Sequence, residues 1–393
     1  MYDFIHAPDR ADSGASKWRM MQKSNPNVPK GIVPLSVADM EFYNAPEIIE
    51  GLQRYLDSHV LGYTEATDAY LDSVIHWFAR RQGYAPTREQ IVQSDGVVPA
   101  LHTLVKTYSK AGDGVLLLTP VYYPFYGAIT ENGRVVVESA LVAAGDTYEV
   151  DFSDFAAKAQ QPNVTLCILS SPHNPVGKVF SESELMRIAK ICLDNGVFVI
   201  CDEIHGDLIL PPYRFTSMGT LSDAYRDNCV ICTAPSKTFN LAGMKCSNLF
   251  IFDAARRARY RDACGYFSLG ALAYAACQLA YDSAEPWLDA LLAVLAENKA
   301  TVERFLAERL PMLHVSKLQG TYLMWIDFRG FDMEQEALNT FLTRDALLFL
   351  DDGAWFGAGG VGFQRMNIAC PKTVLLDALL RLERAWKTKK GET

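Results

Sequence analysis

The sequence has few of the features that mark nucleic-acid-binding and membrane proteins. Its 37 lysine and arginine residues are outnumbered by 46 aspartate and glutamate residues, and the net charge of the 393-residue chain is −9. Because no basic stripe offsets this charge, we expect no nucleic-acid partner. An uncharged stretch at residues 263–281 contains glycines, a glutamine and three tyrosines, so it predicts a buried helix, and we expect no membrane partner.

The cysteines show no pairing pattern. There are nine, an odd number, and most lie in apolar, strand-like runs, which is typical of a protein in a reducing cytosol. The charged residues near the N-terminus leave no room for the apolar segment of a signal peptide, so we expect a cytoplasmic location. Cys229 and Cys232 form a C-x-x-C pair, but residues three apart in a strand point to opposite faces. The sequence therefore predicts no metal site.

Short apolar runs alternate with helical patterns over most of the chain. The runs that predict strands buried on both faces are residues 115–119, 165–170, 197–201 and 229–233. Residues 181–196 predict a helix between two of these strands, because Ser181 and Glu184 form a capping box. This alternation predicts an α/β fold with a mostly parallel central sheet and helices on both faces.

The pattern changes after residue 282. A long helical pattern at residues 287–310 precedes strand-like segments at 321–328 and 363–369 and a last helix at about 372–387. These elements lack the βαβ order and predict a smaller α+β C-terminal domain. We expect an N-terminal arm at residues 1–45 that packs with the small domain, a large domain at 46–285 and a small domain at 286–393.

Three polar residues follow predicted strands directly, namely Asn174, Asp202 and Lys237. Because ligands of such sheets bind at the carboxyl ends of the strands, we expect these side chains to converge. A lysine in a turn rich in small residues can form a Schiff base with an aldehyde, and a buried aspartate can hold a protonated pyridine nitrogen. That pairing is what pyridoxal 5′-phosphate (PLP) requires.

Several motifs occur in an order that resembles a known family. They are residues 34–42 (PLSVADMEF), 171–177 (SPHNPVG), 201–205 (CDEIH), 233–243 (TAPSKTFNLAG) and 364–367 (QRMN). Together they resemble the fold-type I PLP enzymes, and most of all the aminotransferase-like carbon–sulfur lyases of the cystathionine β-lyase and cystalysin group. The resemblance extends from residue 34 to the last helix.

The resemblance implies roles for residues around the ring of PLP. Lys237 forms the Schiff base and, once released, takes the Cα proton of the substrate. Asp202 holds the protonated ring nitrogen, and Asn174 donates its amide toward the phenolic oxygen. Tyr122 stacks on the ring. His205 stands where ordinary aminotransferases usually carry a tyrosine; a cofactor contact and a packed core histidine both stay open.

Other residues are candidates for the phosphate. They are the backbone N–H groups of Gly96, Val97 and Val98, the hydroxyl of Ser236, the side chain of Lys245, and Tyr63 donated by a second copy of the chain. The first three precede a helical pattern with Pro99 in its first turn, and a helix N-terminus attracts anions. Lys245 occupies a position at which the lyase group varies.

The substrate is expected to contact Arg365, Asn174 and Tyr123. Arg365 binds the α-carboxylate by resemblance, because its planar fork matches a carboxylate in two hydrogen bonds. Tyr123 either contacts the substrate and assists proton movement or is a core aromatic residue.

The resemblance implies a homodimeric PLP enzyme with composite active sites. Its reaction would be β-elimination on sulfur amino acids such as cystathionine, cystine or cysteine, which gives a thiol, pyruvate and ammonia. Two alternatives stay open: an aminotransferase, which shares the steps up to removal of the Cα proton, and a PLP-binding regulatory protein. The complete set of site residues speaks against the second, and His205 with the motif at residues 34–42 favours the lyase over the first.

Overall fold

The larger of two β-sheets is built from the apolar runs. A computed structural model describes residues 2–392. The strands of the larger sheet are β1 (Ile91–Ser94), β2 (Gly114–Thr119), β3 (Val135–Ala144), β4 (Thr147–Val150), β5 (Val164–Ser170), β6 (Phe198–Asp202), β7 (Cys229–Thr233) and β8 (Ser247–Ile251). Their order is β1-β8-β7-β6-β5-β2-β3-β4. The five strands from β7 to β3 in this order are parallel, while β1, β8 and β4 pair antiparallel. The prediction of a mostly parallel sheet is confirmed.

Helices cover both faces of this sheet. The helices are α1 (Ser16–Ser24), α2 (Pro46–Ser58), α3 (Asp68–Arg81), α4 (Val97–Tyr108), α5 (Pro124–Thr130), α6 (Phe152–Ala159), α7 (Glu182–Asp194), α8 (Asp223–Asp227), α9 (Pro235–Thr238), α10 (Ala254–Cys264), α11 (Ala271–Ser283), α12 (Glu285–Arg309), α13 (Gln335–Thr340) and α14 (Lys372–Lys390). Alternate residues of β6 enter two separate cores, Val199 on one face and Ile200 on the other. The capping box of α7 forms as predicted.

The smaller sheet is antiparallel. Its strands are β9 (His314–Val315), β10 (Leu323–Asp327), β11 (Asp351–Asp352) and β12 (Phe363–Asn367), in the order β11-β12-β10-β9. In this register Asp351 lies opposite Arg365. The prediction of a smaller α+β unit in the C-terminal part of the chain is confirmed.

The segment at residues 35–41 runs beside the smaller sheet and reaches the larger one. Its backbone pairs with residues of the C-terminal part through Leu35 and Glu41. On the other side, the N–H of Met40 donates to Oδ1 of Asn240 at 2.9 Å. This N-terminal segment is therefore connected through hydrogen bonds of its backbone both to the C-terminal part of the chain and to the loop that contains Asn240. The boundaries at residues 45 and 285 stay a prediction.

The uncharged stretch at residues 263–281 is not one helix. Helix α10 ends at Cys264 because Gly265 adopts a φ of 63°, a left-handed conformation that suits glycine. Helix α11 begins only at Ala271, and the expectation of a single buried helix was wrong in this respect. Between residues 2 and 392, no helix has the length and apolar character needed to span a membrane.

Candidate active site

A cavity of about 200 Å³ lies at the carboxyl ends of β5, β6 and β7. Every predicted cofactor residue except Tyr63 lines this cavity. They are Gly96, Val97, Val98, Tyr122, Asn174, Asp202, His205, Ser236, Lys237 and Lys245. The convergence follows from the sheet, because strands that run parallel end at the same edge.

Lys237 lies on α9, which begins directly after β7 with Pro235 in its first turn. Its Nζ donates a hydrogen bond of 2.8 Å to the carbonyl oxygen of Ala38. Burial, followed by the positive charge of Arg365, lowers the pKa of Lys237 to about 8. Near physiological pH a larger fraction of this amine is therefore neutral than of an exposed lysine, and a nucleophile or a base requires the neutral form.

Asp202 is the last residue of β6 and faces the same cavity. Burial raises the pKa of its carboxyl group to about 7. Its Oδ1 accepts a hydrogen bond of 3.1 Å from the N–H of Ile204. The neighbouring carboxylate of Glu203 instead accepts from the hydroxyl of Ser217 at 2.6 Å and the N–H of Met218 at 2.8 Å. Of the two acidic residues, only Asp202 is available to a ligand.

His205 is buried in the cavity wall. Its Nδ1 finds no hydrogen-bond partner within residues 2–392, and burial holds the pKa of the imidazole well below its usual value. The ring meets that of Tyr322 edge to face, with 6.0 Å between centroids. A neutral imidazole with an unpaired buried nitrogen is suited to contact a bound molecule.

One end of the cavity is formed by the start of α4. Gly96 precedes this helix with a φ of 139°, and the N–H groups of the first turn have no partners within the helix. Ser236 lies in the cavity wall at the start of α9, and Lys245, which is exposed, closes the rim. This end of the cavity combines a helix N-terminus with a cationic side chain and is suited to an anion.

Arg365 lies beside the cavity on β12 and is 2% exposed. Its Nη1 donates to Oδ1 of Asn174 at 2.9 Å. Its Nε and Nη2 both donate to Oδ2 of Asp351, at 3.0 and 2.5 Å. Sequence reasoning missed Asp351, because its contact with Arg365 arises only from the pairing of β11 with β12.

The carbonyl oxygen of Ala38 connects the N-terminal segment to the site. It accepts hydrogen bonds from Nζ of Lys237 at 2.8 Å and from the hydroxyl of Tyr322 at 3.0 Å. The next residue, Asp39, forms partly buried ion pairs with Arg10 and Lys17 at 2.6 and 3.0 Å. These contacts hold residues 38 and 39 against the cavity, and they were not predicted.

Besides Arg365, two predicted residues lie outside the cavity, namely Tyr63 and Tyr123. The side chain of Tyr63 is 97% exposed. Tyr123 is partly exposed and packs against Trp355 and Phe356, the second of which lies beneath the guanidinium of Arg365. Within a single chain, Tyr63 therefore lies away from the other candidate residues, and Tyr123 lies at the margin of the site.

Comparison with known proteins finds the same family by sequence and by structure. Residues 30–381 match the family "Aminotransferase class I and II". Cystathionine beta-lyase PatB of Bacillus subtilis (strain 168) is 37% identical over 356 residues, which cover 90% of this chain and 92% of that protein. The crystal structure of cystalysin from Treponema denticola, which contains a pyridoxal 5′-phosphate cofactor, superposes with a TM-score of 0.97 at 40% identity and covers 99% of this chain and 100% of that chain. The PLP-bound C-S lyase from Staphylococcus hominis has a TM-score of 0.91 at 28% identity, with 98% and 99% covered.

Proposed function

The chain belongs to the aminotransferase class I and II family, and from its similarity to named lyases we propose that it is a PLP-dependent carbon–sulfur lyase. Its substrates are sulfur amino acids such as cystathionine, cystine or cysteine, and its products are a thiol, pyruvate and ammonia. The observation that carries the proposal is a cavity containing Lys237, Asp202 and His205 beside Arg365, in a fold that matches cystalysin with a TM-score of 0.97.

The residues of the cavity fit PLP. Burial raises the pKa of Asp202, and a protonated ring nitrogen would supply a cation that stabilises its charged form. The unpaired Nδ1 of His205 would gain a partner. Lys237 would hold the aldehyde carbon, and Tyr122 would lie against the ring. Gly96, Val97, Val98, Ser236 and Lys245 would hold the phosphate.

The mechanism assigns three tasks to residues of this chain. Arg365, with Asn174 beside it, binds the α-carboxylate of the substrate and thereby fixes the orientation of Cα. Lys237 takes the proton from Cα onto its neutral Nζ, which a pKa of about 8 favours. Asp202 carries the negative charge that keeps the ring nitrogen protonated. When bound, PLP withdraws electrons from Cα, which makes that proton removable and lets the β-thiolate depart.

An aminotransferase is the rival proposal, since it uses the same residues up to removal of the proton. The named lyases among the relatives, at 37% identity over 90% of this chain and 28% over 98% of it, favour β-elimination. The proposal is tested by supplying the purified protein with L-cystathionine, L-cystine and L-cysteine and measuring pyruvate and thiol. Lys237→Ala serves as the inactive control. Absence of pyruvate with all three substrates would overturn the proposal.

We also propose that the active protein is a homodimer. Val60, Leu61 and Tyr63 are 89%, 59% and 97% exposed, and Tyr266 is 87% exposed on an adjoining segment. The hydroxyl of Ser268 ties the two segments together through a 2.9 Å hydrogen bond to the carbonyl oxygen of Thr64. Such a group of exposed apolar side chains favours burial against a second copy, which would place Tyr63 near the phosphate end of the partner's cavity.

We propose a cytoplasmic location, and the cysteines support it. All nine are free thiols, and eight are buried. An enzyme that releases thiols and keeps its own cysteines reduced suits the cytoplasm, where we place it.

A further inference from the structure

Arg365 is anchored on every nitrogen of its guanidinium. Asp351 accepts from Nε and Nη2 at 3.0 and 2.5 Å, and Asn174 accepts from Nη1 at 2.9 Å. The ring of Phe356 supports the plane, with its centroid 4.8 Å from Cζ. A guanidinium has five N–H groups, so these contacts leave two for a bound molecule. Two are what a bidentate carboxylate needs.

The anchoring carboxylate is as deeply buried as the arginine. Asp351 is 1% exposed and Arg365 is 2% exposed. An arginine buried without a counter-charge is costly, so the negative charge of Asp351 is what permits this cation to lie away from water. The pair also resists rotation of the fork, because the two hydrogen bonds to one oxygen fix the direction of the plane.

The same carboxylate holds the segment that touches Lys237. The N–H of Val37 donates to both oxygens of Asp351, at 3.1 and 3.0 Å. Val37 has a φ of 56°, which a β-branched residue rarely adopts, so this contact holds strained backbone in place. The residue after Val37 is Ala38, and its carbonyl oxygen accepts the hydrogen bond from Nζ of Lys237.

We propose that Asp351 is a positioning residue for recognition of the substrate α-carboxylate. The inference rests on the proposed function of Arg365. Asp351 does not touch the substrate; it aims the two remaining N–H groups of Arg365 and keeps Ala38 against Lys237. Its loss weakens capture of the carboxylate more than it slows bond cleavage.

Three variants test this role. Asp351→Asn keeps the shape of the side chain and removes its charge, and Asp351→Ala removes both. Asp352→Asn is the matched control, because Asp352 is the next residue of the same strand and its carboxylate holds Gln335 and Asn339 instead of Arg365. We expect Asp351→Asn to raise KM for L-cystathionine about tenfold and to change kcat by less than about threefold, since a hydrogen bond to a charged group is worth roughly a factor of ten or more. The alanine variant should show a larger rise, and Asp352→Asn should show none.

A binding measurement separates this role from the identity of the reaction. 3-(Methylthio)propanoate carries a carboxylate and a thioether but no amine, so calorimetric titration of the holoenzyme with it reports carboxylate recognition for a lyase and an aminotransferase alike. We expect its affinity to fall about tenfold in Asp351→Asn, by the same hydrogen-bond argument, and to stay unchanged in Asp352→Asn.

Thermal unfolding of each variant identifies any that fail to fold. If Asp351→Ala does not fold, Asp351→Asn carries the test. Three results would overturn the proposal. One is a folded Asp351→Asn protein with the KM and carboxylate affinity of the wild type, and another is an equal loss in Asp352→Asn. The third is a wild-type protein that does not bind 3-(methylthio)propanoate. The elimination assay does not depend on this measurement, so failure of the positioning proposal and failure of the proposed function can be told apart.

Discussion

Lys237 and Asp202 have pKa values that are shifted in opposite directions by the same cause. Burial lowers the pKa of Lys237 to about 8 and raises that of Asp202 to about 7. Loss of water disfavours a charge of either sign, so both groups move toward their neutral forms. A neutral amine reacts with an aldehyde, and a buried carboxyl group gains from a nearby cation. The two residues are thus prepared for a molecule that carries both an aldehyde and a basic ring nitrogen.

The lowered pKa of Lys237 predicts how cofactor attachment to the apoprotein depends on pH. Only the neutral amine attacks an aldehyde, so the rate of PLP attachment should rise with pH and level off above about pH 8. An ordinary lysine would gain reactivity up to about pH 10.4. Stopped-flow absorbance measures the rate, with free Nα-acetyl-lysine as the control amine. A protein rate that follows the control amine throughout would contradict the prediction.

Which residues the sequence could predict depends on what brings them together. Asn174, Asp202 and Lys237 each follow a strand of a parallel sheet, so their positions along the chain already implied convergence. Asp351 and Tyr322 were missed, because their contacts depend on the pairing of short strands and on the path of the segment that contains Ala38. No local pattern of residues encodes either one.

Among the elements, α4 has the most specific role at the site. Its first turn opens toward the cavity, and Gly96 precedes it with a φ of 139° that residues with a Cβ atom rarely adopt. A Cβ atom at this position would lie 3.3 Å from Cδ of Pro99. The backbone conformation that leads into α4 at the cavity therefore depends on glycine.

Substitution of Gly96 should weaken the affinity for PLP. Gly96→Ala strains the backbone whose N–H groups would hold the phosphate, so we expect a dissociation constant raised by about tenfold or more, together with a lower melting temperature. Gly112→Ala is the matched control, since Gly112 also has a positive φ, 85°, but does not line the cavity. The affinity is measured by fluorescence titration of the apoprotein. Equal affinities for PLP in Gly96→Ala and Gly112→Ala would rule out a role in phosphate binding for the backbone that leads into α4.

Most of the strands that were predicted are continuous apolar runs, and several strands without such a run were missed. β2, β5, β6 and β7 are buried along almost their whole length and stood out as apolar runs. β3 was missed, because most of its residues are exposed or half-buried, as expected for a strand near the edge of the sheet. β8 was missed although it is buried throughout, because it begins with the polar residues Ser247 and Asn248.

At the scale of the whole molecule, the proposed homodimer would give the exposed Tyr63 a role in the site. Its side chain is 97% exposed and lies beside other exposed apolar residues. Two chains related by a two-fold axis would each receive this residue from the other. The composite site stays a prediction that assembly experiments can test.

Mixed dimers provide that test. We expect Tyr63→Phe and Lys237→Ala proteins to be weakly active or inactive alone. After unfolding and refolding together they should recover roughly a quarter of the wild-type activity, because random pairing makes half of the dimers hybrids with one intact site. Lys237→Ala refolded with itself is the control. Full activity of the Tyr63→Phe protein alone, or no recovery in the mixture, would contradict a composite site.

The central claim is β-elimination, and the most direct measurement is the fate of L-cystathionine without any 2-oxo acid acceptor. A thiolate can leave as soon as the Cα proton has been removed by Lys237, whereas transamination consumes one 2-oxo acid acceptor in the second half of every turnover. We predict that pyruvate, ammonia and homocysteine accumulate in equal amounts over many turnovers, and that 2-oxoglutarate does not raise the rate. Strict dependence on 2-oxoglutarate, with no pyruvate formed in its absence, would contradict the account and identify the protein as an aminotransferase.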